Sequence, residues 1–316
     1  MSADIAMIES AAAAISSVFT NTPVVCNEAL DRATGASIFL KVETLTPIRC
    51  FKGRGADYLI RTVKDRAPAG VVCASAGNFG QGIAWAGRHY GVKVTVFAAL
   101  NANPLKLDAM ARLGAEVKTV GADLDEAKLA AETYAQENGL LFLIDGTHDE
   151  GVAGAATIAR ELTLAYDPFD AILVPLGNGA LANGVGTWMK DKSPETSILA
   201  VAAEGAPSME MSWRAQAVKE TPSVDTIADG LAVRIPIMSA IETMKETVDD
   251  VLLVSDKSMR QAMKLLFETT GLVVEPSGAI GVGAILEQPE RFKGKRVATI
   301  LCGGNVNSEQ ARQWLF

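Results

Sequence analysis

Short apolar runs alternate with alanine-rich helical stretches along the whole chain. Nine runs predict strands: residues 37–42, 70–74, 92–97, 116–120, 140–144, 171–175, 198–203, 251–254 and 296–301. Most are continuously apolar rather than alternating, which is the pattern of strands covered on both faces. Helical stretches between them make parallel pairing the expected arrangement. The predicted fold class is therefore α/β, with two interleaved domains, each an open, mostly parallel twisted sheet flanked by helices. The alanine-rich N-terminus predicts an amphipathic helix on the domain surface.

Two segments share one layout. The first runs strand, Ser75-Ala76-Gly77-Asn78-Phe79-Gly80-Gln81-Gly82, helix, strand; the second runs strand, Gly177-Asn178-Gly179-Ala180-Leu181, helix, strand. Each is a βαβ unit whose glycine-rich turn feeds a helix N-terminus, where unpaired N–H groups and the positive dipole end favour an anion. The second turn also fits G-x-G-x-x-A through Gly177, Gly179 and Ala182, with Glu204 ending the next strand, a pattern open to a nicotinamide dinucleotide.

The chain has 316 residues, consistent with about two domains. It is 49% hydrophobic and 21% charged, enough to bury a large core. A net charge of -8 gives no footprint for nucleic acid or an anionic membrane. No apolar run reaches a membrane-spanning length, and the N-terminus lacks the basic start of a signal peptide. The four cysteines, Cys26, Cys50, Cys73 and Cys302, form no C-x-x-C pair, so reduced thiols in a cytoplasm are expected. With His89 and His148 the sole histidines, chemistry must come mostly from lysine, serine, carboxylates, backbone amides or a cofactor.

Lys52 lies in Arg49-Cys50-Phe51-Lys52-Gly53-Arg54-Gly55-Ala56. Most lysines are solvated surface groups. This one sits between an apolar residue and glycines, and an amine that loses solvation there becomes a nucleophile. The Ser75 turn reads either as a plain βα turn or as a carboxylate nest, and the Gly177 turn as a tight turn or a phosphate cup.

Taken together, the motifs resemble the pyridoxal-phosphate (PLP) enzymes of the tryptophan synthase β superfamily, fold type II, closest to the threonine dehydratase and serine racemase branch. The resemblance runs from Thr22-Pro23 to Asn305. It is carried by Lys41-Val42-Glu43 with Cys50-Phe51-Lys52-Gly53-Arg54-Gly55-Ala56, by Ala74-Ser75-Ala76-Gly77-Asn78 with Gln81-Gly82, and by Gly154 with Thr157-Ile158-Ala159 and Glu161. Further along come Pro175-Leu176-Gly177-Asn178-Gly179-Ala180-Leu181, Thr226-Ile227-Ala228-Asp229-Gly230-Leu231-Ala232-Val233, Glu275-Pro276-Ser277-Gly278-Ala279 and Cys302-Gly303-Gly304-Asn305.

The resemblance implies PLP in a cleft between a large domain, residues 1–45 and 146–316, and a small domain, residues 46–145. Lys52 would hold the cofactor as an internal aldimine and then remove the substrate Cα proton. Gly177, Asn178, Gly179, Ala180 and Leu181 would give backbone N–H groups to the phosphate. Asn78 would meet the ring 3′-oxygen, Phe51 would pack beside the ring, Glu275 would join the cofactor site, and Cys302 would face the pyridine nitrogen. Ser75, Ala76, Gly77 and Asn78 would bind the substrate carboxylate, with Gly230 also at the substrate.

Departures from the family pattern shape the expected activity. Ala76 stands where racemases carry a serine, so racemisation is expected to be weak. Phe79 replaces a histidine. Arg49 replaces a small residue; it is either solvated or a contact for a substrate side-chain carboxylate. Glu204, the Ser208 carbonyl and Glu210 align with a cation site of the serine racemase relatives and offer oxygen ligands suited to Mg²⁺ or Ca²⁺. The expected protein is a cytoplasmic, homo-oligomeric PLP lyase acting on a small amino-acid substrate. It would deaminate L-threonine or L-serine, or L-threo-3-hydroxyaspartate if Arg49 faces the site. Ending at Phe316, the chain is expected to lack a C-terminal regulatory domain. Serine racemisation, β-replacement, threonine synthesis, nicotinamide-dependent oxidoreduction and a catalytically silent binding protein are the alternatives.

Overall fold

The computed structural model describes residues 2–102 and 104–316. Its strands are β1 (Val24–Val25), β2 (Ser37–Val42), β3 (Val71–Ala74), β4 (Val94–Ala98), β5 (Glu116–Thr119), β6 (Leu141–Leu143), β7 (Ala171–Pro175), β8 (Ser197–Ala203), β9 (Asp250–Val254) and β10 (Arg296–Leu301). Six form one sheet in the order β1-β2-β10-β7-β8-β9, and four form a second in the order β5-β4-β3-β6. β1 pairs antiparallel with β2; the other neighbours are parallel. The nine expected strands are all present. β1 was not anticipated, because two residues carry no periodicity.

The helices are α1 (Ile5–Ala14), α2 (Glu28–Thr34), α3 (Lys52–Val63), α4 (Asn78–Tyr90), α5 (Pro104–Arg112), α6 (Leu124–Asn138), α7 (Asp149–Ala165), α8 (Ala180–Lys192), α9 (Ser208–Ala215), α10 (Met238–Thr247), α11 (Asp256–Thr270), α12 (Pro276–Glu287), α13 (Pro289–Phe292) and α14 (Ser308–Leu315). No helix among the described residues is long and apolar enough to cross a membrane.

Helix starts fall into two groups. Asp4, Asn27, Asp123, Ser255 and Asn307 each accept a first-turn N–H through the side chain, the usual way orphan donors are satisfied. The N-cap residues of α3, α4, α7, α8, α9, α10, α12 and α13 give no such bond, although Ser75, two residues before the α4 N-cap, accepts the Gly80 N–H. Residues at the starts of α3, α4, α8 and α12 recur in the site described below.

β4 and β7 are buried along their whole length, as continuous apolar runs require. One core cluster runs from Val71, Cys73 and Val96 on the four-stranded sheet to Ile172, Val174 and Ala200 on the six-stranded sheet. α3, α7 and α8 fill the space between at very short range. A Cβ at Gly154 would lie 2.6 Å from Gly55 Cα, and one at Gly184 would lie 2.5 Å from the Val152 carbonyl oxygen. Glycine at both positions lets helix backbones touch.

Arg54, on the first turn of α3, is fully buried. Its Nε and Nη2 donate to Glu43 at 2.8 Å each, and its Nη1 donates to Glu161 at 2.6 Å and to Thr157 at 2.9 Å. Lys41 Nζ adds a 2.5 Å contact to Glu161. This cluster ties α3 to β2, α7 and the N-terminal segment, and fixes where Lys52 begins the helix.

Candidate active site

The segment before α3 is strapped to the end of β10. Cys50 bridges Gly303, the Phe51 N–H donates to the Cys302 carbonyl at 3.0 Å, and the Gly304 N–H donates to the Arg49 carbonyl at 2.9 Å. The next residue, Lys52, points into a cleft whose walls include Phe51, Ala56, Leu59, Phe79 and Ile144. Its Nζ lies 5.5 Å from the Phe51 ring centroid and 5.9 Å from that of Phe79. Asp145 Oδ1 sits 2.6 Å from Nζ, with Lys52 20% and Asp145 30% exposed.

Asn78 opens α4 and meets two residues far along the chain. Its Nδ2 donates to Glu275 Oε1 at 3.0 Å, and its Oδ1 accepts from Asn305 Nδ2 at 2.7 Å. The Asn305 N–H donates to Glu275 Oε2 at 3.0 Å. Burial pushes the Glu275 carboxyl up, against the opposing pull of the Asn305 N–H, Lys106 and Asn78. Burial also drives the Cys302 thiol well above its usual range, helped by the nearby Glu275 and Cys50. Cys302 is therefore an uncharged thiol at physiological pH.

The turn into α8 forms the third part. Gly179 caps the helix at φ +92°, a conformation glycine adopts readily, and no side chain covers the first-turn N–H groups. A Cβ at Gly177 would lie 2.5 Å from the Gly230 carbonyl oxygen, so Gly230 presses on the turn. A Cβ at Gly146 would lie 2.9 Å from Asn178 Cβ, which docks the Asp145 loop against the same turn. Ala180 and Leu181 are buried at the start of α8.

The remaining predicted residues are more spread out. The Ser75 hydroxyl accepts from the Gly77 and Gly80 N–H groups at 3.2 and 3.1 Å, shaping the turn that carries Ala76. Arg49 is exposed, adopts φ +54° and makes no ion pair among the described residues. Glu204 is exposed, Ser208 Oγ donates to the Val233 carbonyl at 2.6 Å, and Glu210 pairs with Arg214. Among the described residues no group of three or more His, Cys, Asp or Glu is placed to hold a metal ion.

The sequence reading missed Asp145 as a site residue, and gave Asn305 no role. The available signal for Asp145 was its place: an Asp-Gly step just after a parallel strand, at the carboxyl end where α/β sheets gather ligands.

A family model described as pyridoxal-phosphate dependent enzyme matches residues 15–303. The chain belongs to that family. It is 33% identical over 301 residues to an L-threonine ammonia-lyase of Thermotoga maritima, covering 95% of this chain and 75% of that one. It is 32% identical over 290 residues to an L-threo-3-hydroxyaspartate ammonia-lyase of a Pseudomonas species, covering 92% and 91%. The structure of maize serine racemase superposes with a TM-score of 0.94 at 29% identity, covering 99% of this chain and 97% of that one. The family cofactor is pyridoxal phosphate, so the nicotinamide reading of Gly177, Gly179, Ala182 and Glu204 is set aside. The residues present suit this cofactor. Lys52 offers an amine in a partly open cleft, and the uncapped α8 turn offers N–H groups to a phosphate. Asn78 Nδ2 has a second hydrogen beyond the one given to Glu275.

Proposed function

We propose that the protein catalyses α,β-elimination from a small hydroxy amino acid, L-threonine or L-serine, releasing a 2-oxo acid and ammonia. The observation that carries this reading is Lys52 in an apolar cleft beside the Asn78–Glu275–Asn305 network and the uncapped turn of α8. Bound pyridoxal phosphate supplies the electron sink that makes the substrate Cα–H acidic. Lys52 serves first as the covalent anchor and then as the base that takes the Cα proton. The α8 turn, from Gly177 to Leu181, holds the phosphate through backbone N–H groups, and Asn78 fixes the ring oxygen. The Ser75–Ala76–Gly77 turn receives the substrate carboxylate. Loss of the β-hydroxyl as water is followed by uptake of water when ammonia leaves, so the net products are 2-oxo acid and ammonia.

Two features favour elimination over racemisation. Ala76 cannot deliver a proton to the far face of Cα. Cys302 is uncharged and would put no anion beside the ring of the bound cofactor, which would then supply a weaker electron sink. Two of the curated relatives described above are ammonia-lyases by name, which agrees with this reading. A second reading, hydroxyaspartate as substrate, is favoured by the exposed guanidinium of Arg49, which makes no ion pair among the described residues, and by the name of the Pseudomonas relative.

The test is 2-oxo acid release from L-serine, L-threonine and L-threo-3-hydroxyaspartate by protein reconstituted with pyridoxal phosphate. Release from serine or threonine is the expected result. Ready formation of D-serine without 2-oxo acid would replace this reading with racemisation.

A further inference from the structure

We propose that Asp145 sets the charge class of the substrate side chain: the site accepts hydroxy amino acids with an uncharged side chain and turns away those bearing a second carboxylate. The proposal rests on the reading of Lys52 as the base of an α,β-elimination.

The argument is geometric. A base must come within about 3–3.5 Å of the atom it attacks. Asp145 Oδ1 is 2.6 Å from Lys52 Nζ. A substrate Cα brought to Nζ near this position, where the neutral amine can still donate a hydrogen bond to Asp145, would lie within about 6 Å of that oxygen. The side chain of a small amino acid spans this gap. A β-hydroxyl there can donate a hydrogen bond to Asp145, whereas a β-carboxylate meets a like charge.

Nothing else in the cleft cancels that charge. Asp145 is the one carboxylate among the lining residues; the rest are apolar groups, glycines, Lys52 and His148. Burial, the largest influence, holds the His148 ring below its usual range, against the pull of Glu150, Asp149 and Asp145. Its Nε2 accepts the Ile144 N–H at 3.3 Å. When Lys52 acts as a base its amine is neutral, and the Asp145 charge is then uncompensated. The surrounding rings of Phe51 and Phe79 screen poorly, so a like charge is felt strongly.

The carboxylate is also held in place. The Thr147 N–H closes the loop onto the Ile144 carbonyl at 3.3 Å, and Gly146, at φ +84°, packs on Asn178.

The experiment compares the holoenzyme with Asp145→Asn, which keeps the shape and removes the charge. Wild type should release 2-oxo acid from L-serine or L-threonine in preference to L-threo-3-hydroxyaspartate. In the variant the kcat/KM ratio of hydroxyaspartate to serine should rise by at least about tenfold. A second readout needs no turnover: calorimetric binding of lactate and of malate, which is lactate with an added carboxylate. Malate should gain at least about tenfold over lactate in Asp145→Asn. A wild type that prefers hydroxyaspartate, or ratios that stay within about twofold in the variant, would overturn the proposal. If no substrate yields 2-oxo acid, the elimination reading fails, and the malate-to-lactate ratio still decides the role of Asp145.

Discussion

Lys52 and Arg54 stand two residues apart on the first turn of α3, and the fold treats them in opposite ways. Arg54 is fully buried, and Glu43, Glu161, Thr157 and Thr22 take up its donors. Lys52 is 20% exposed, faces two aromatic rings and has, among the described residues, one ion partner, Asp145, itself 30% exposed. A buried cation surrounded by acceptors has no freedom left, so it serves architecture. A cation with one partner and an open side can exchange that partner for a cofactor or a proton. The rigidity of the first residue positions the second.

The sharpest way to break this contrast is Lys52→Ala. It should lower 2-oxo acid release by more than about 10⁴-fold, because one amine serves as anchor and base. Thermal melting should shift by no more than about 4 °C, since no buried partner is left unpaired. Activity above a trace would take Lys52 out of its role.

Arg54→Ala should show the reverse emphasis. Glu43 would be left buried without an ion-pair partner and Glu161 with Lys41 alone, costing about 3–5 kcal/mol in urea unfolding. A loss under about 1 kcal/mol would mean that the cluster does not anchor α3.

Acid should probe the same cluster more gently. Burial alone would raise the Glu161 carboxyl, but hydrogen bonds and charge from Arg54, with Lys41, outweigh it and hold the group below its ordinary 4.5. A depressed folded value stabilises the fold above the ordinary value, and that contribution drains away as pH falls through the folded one. Stability measured downward from neutral pH should fall below the ordinary carboxylate range, and Glu161→Gln should flatten that limb. An unchanged limb would place the acid sensitivity elsewhere.

The smallest expected effect is at Ala76. Ala76→Ser places a hydroxyl on the carboxylate-binding turn, and chiral analysis after partial turnover of L-serine should find D-serine. The gain should stay well below the roughly 10²-fold of a tuned acid–base group. Abundant D-serine from the wild type would instead restore the racemase reading.

Most of the nine main strands were legible because parallel strands buried on both faces leave continuous apolar runs in the sequence; the edge strand β5, with no buried residue, is the exception. β1 was not, since its two residues owe their pairing to β2 alone. The Ser75–Asn78 and Gly177–Leu181 turns and the helices they feed were legible because glycine-rich turns ahead of helices are local features. The character of Cys302 was half legible. Its motif marked the segment, while its uncharged state follows from burial next to Glu275 and Cys50.

Local pattern along the chain was thus enough to set the α/β class and the two glycine-rich helix starts, since each depends on neighbours in sequence, whereas Lys52 stood out only through the resemblance of the motifs taken together. Tertiary structure alone decided which charges meet. Asp145 reaches Lys52 from 93 residues away, Asn305 reaches Asn78 from 227, and Glu161 reaches Arg54 from 107. Such pairs leave no periodic trace in the sequence. Their strength depends on distance and on exclusion of water, and both exist only once the helices have packed.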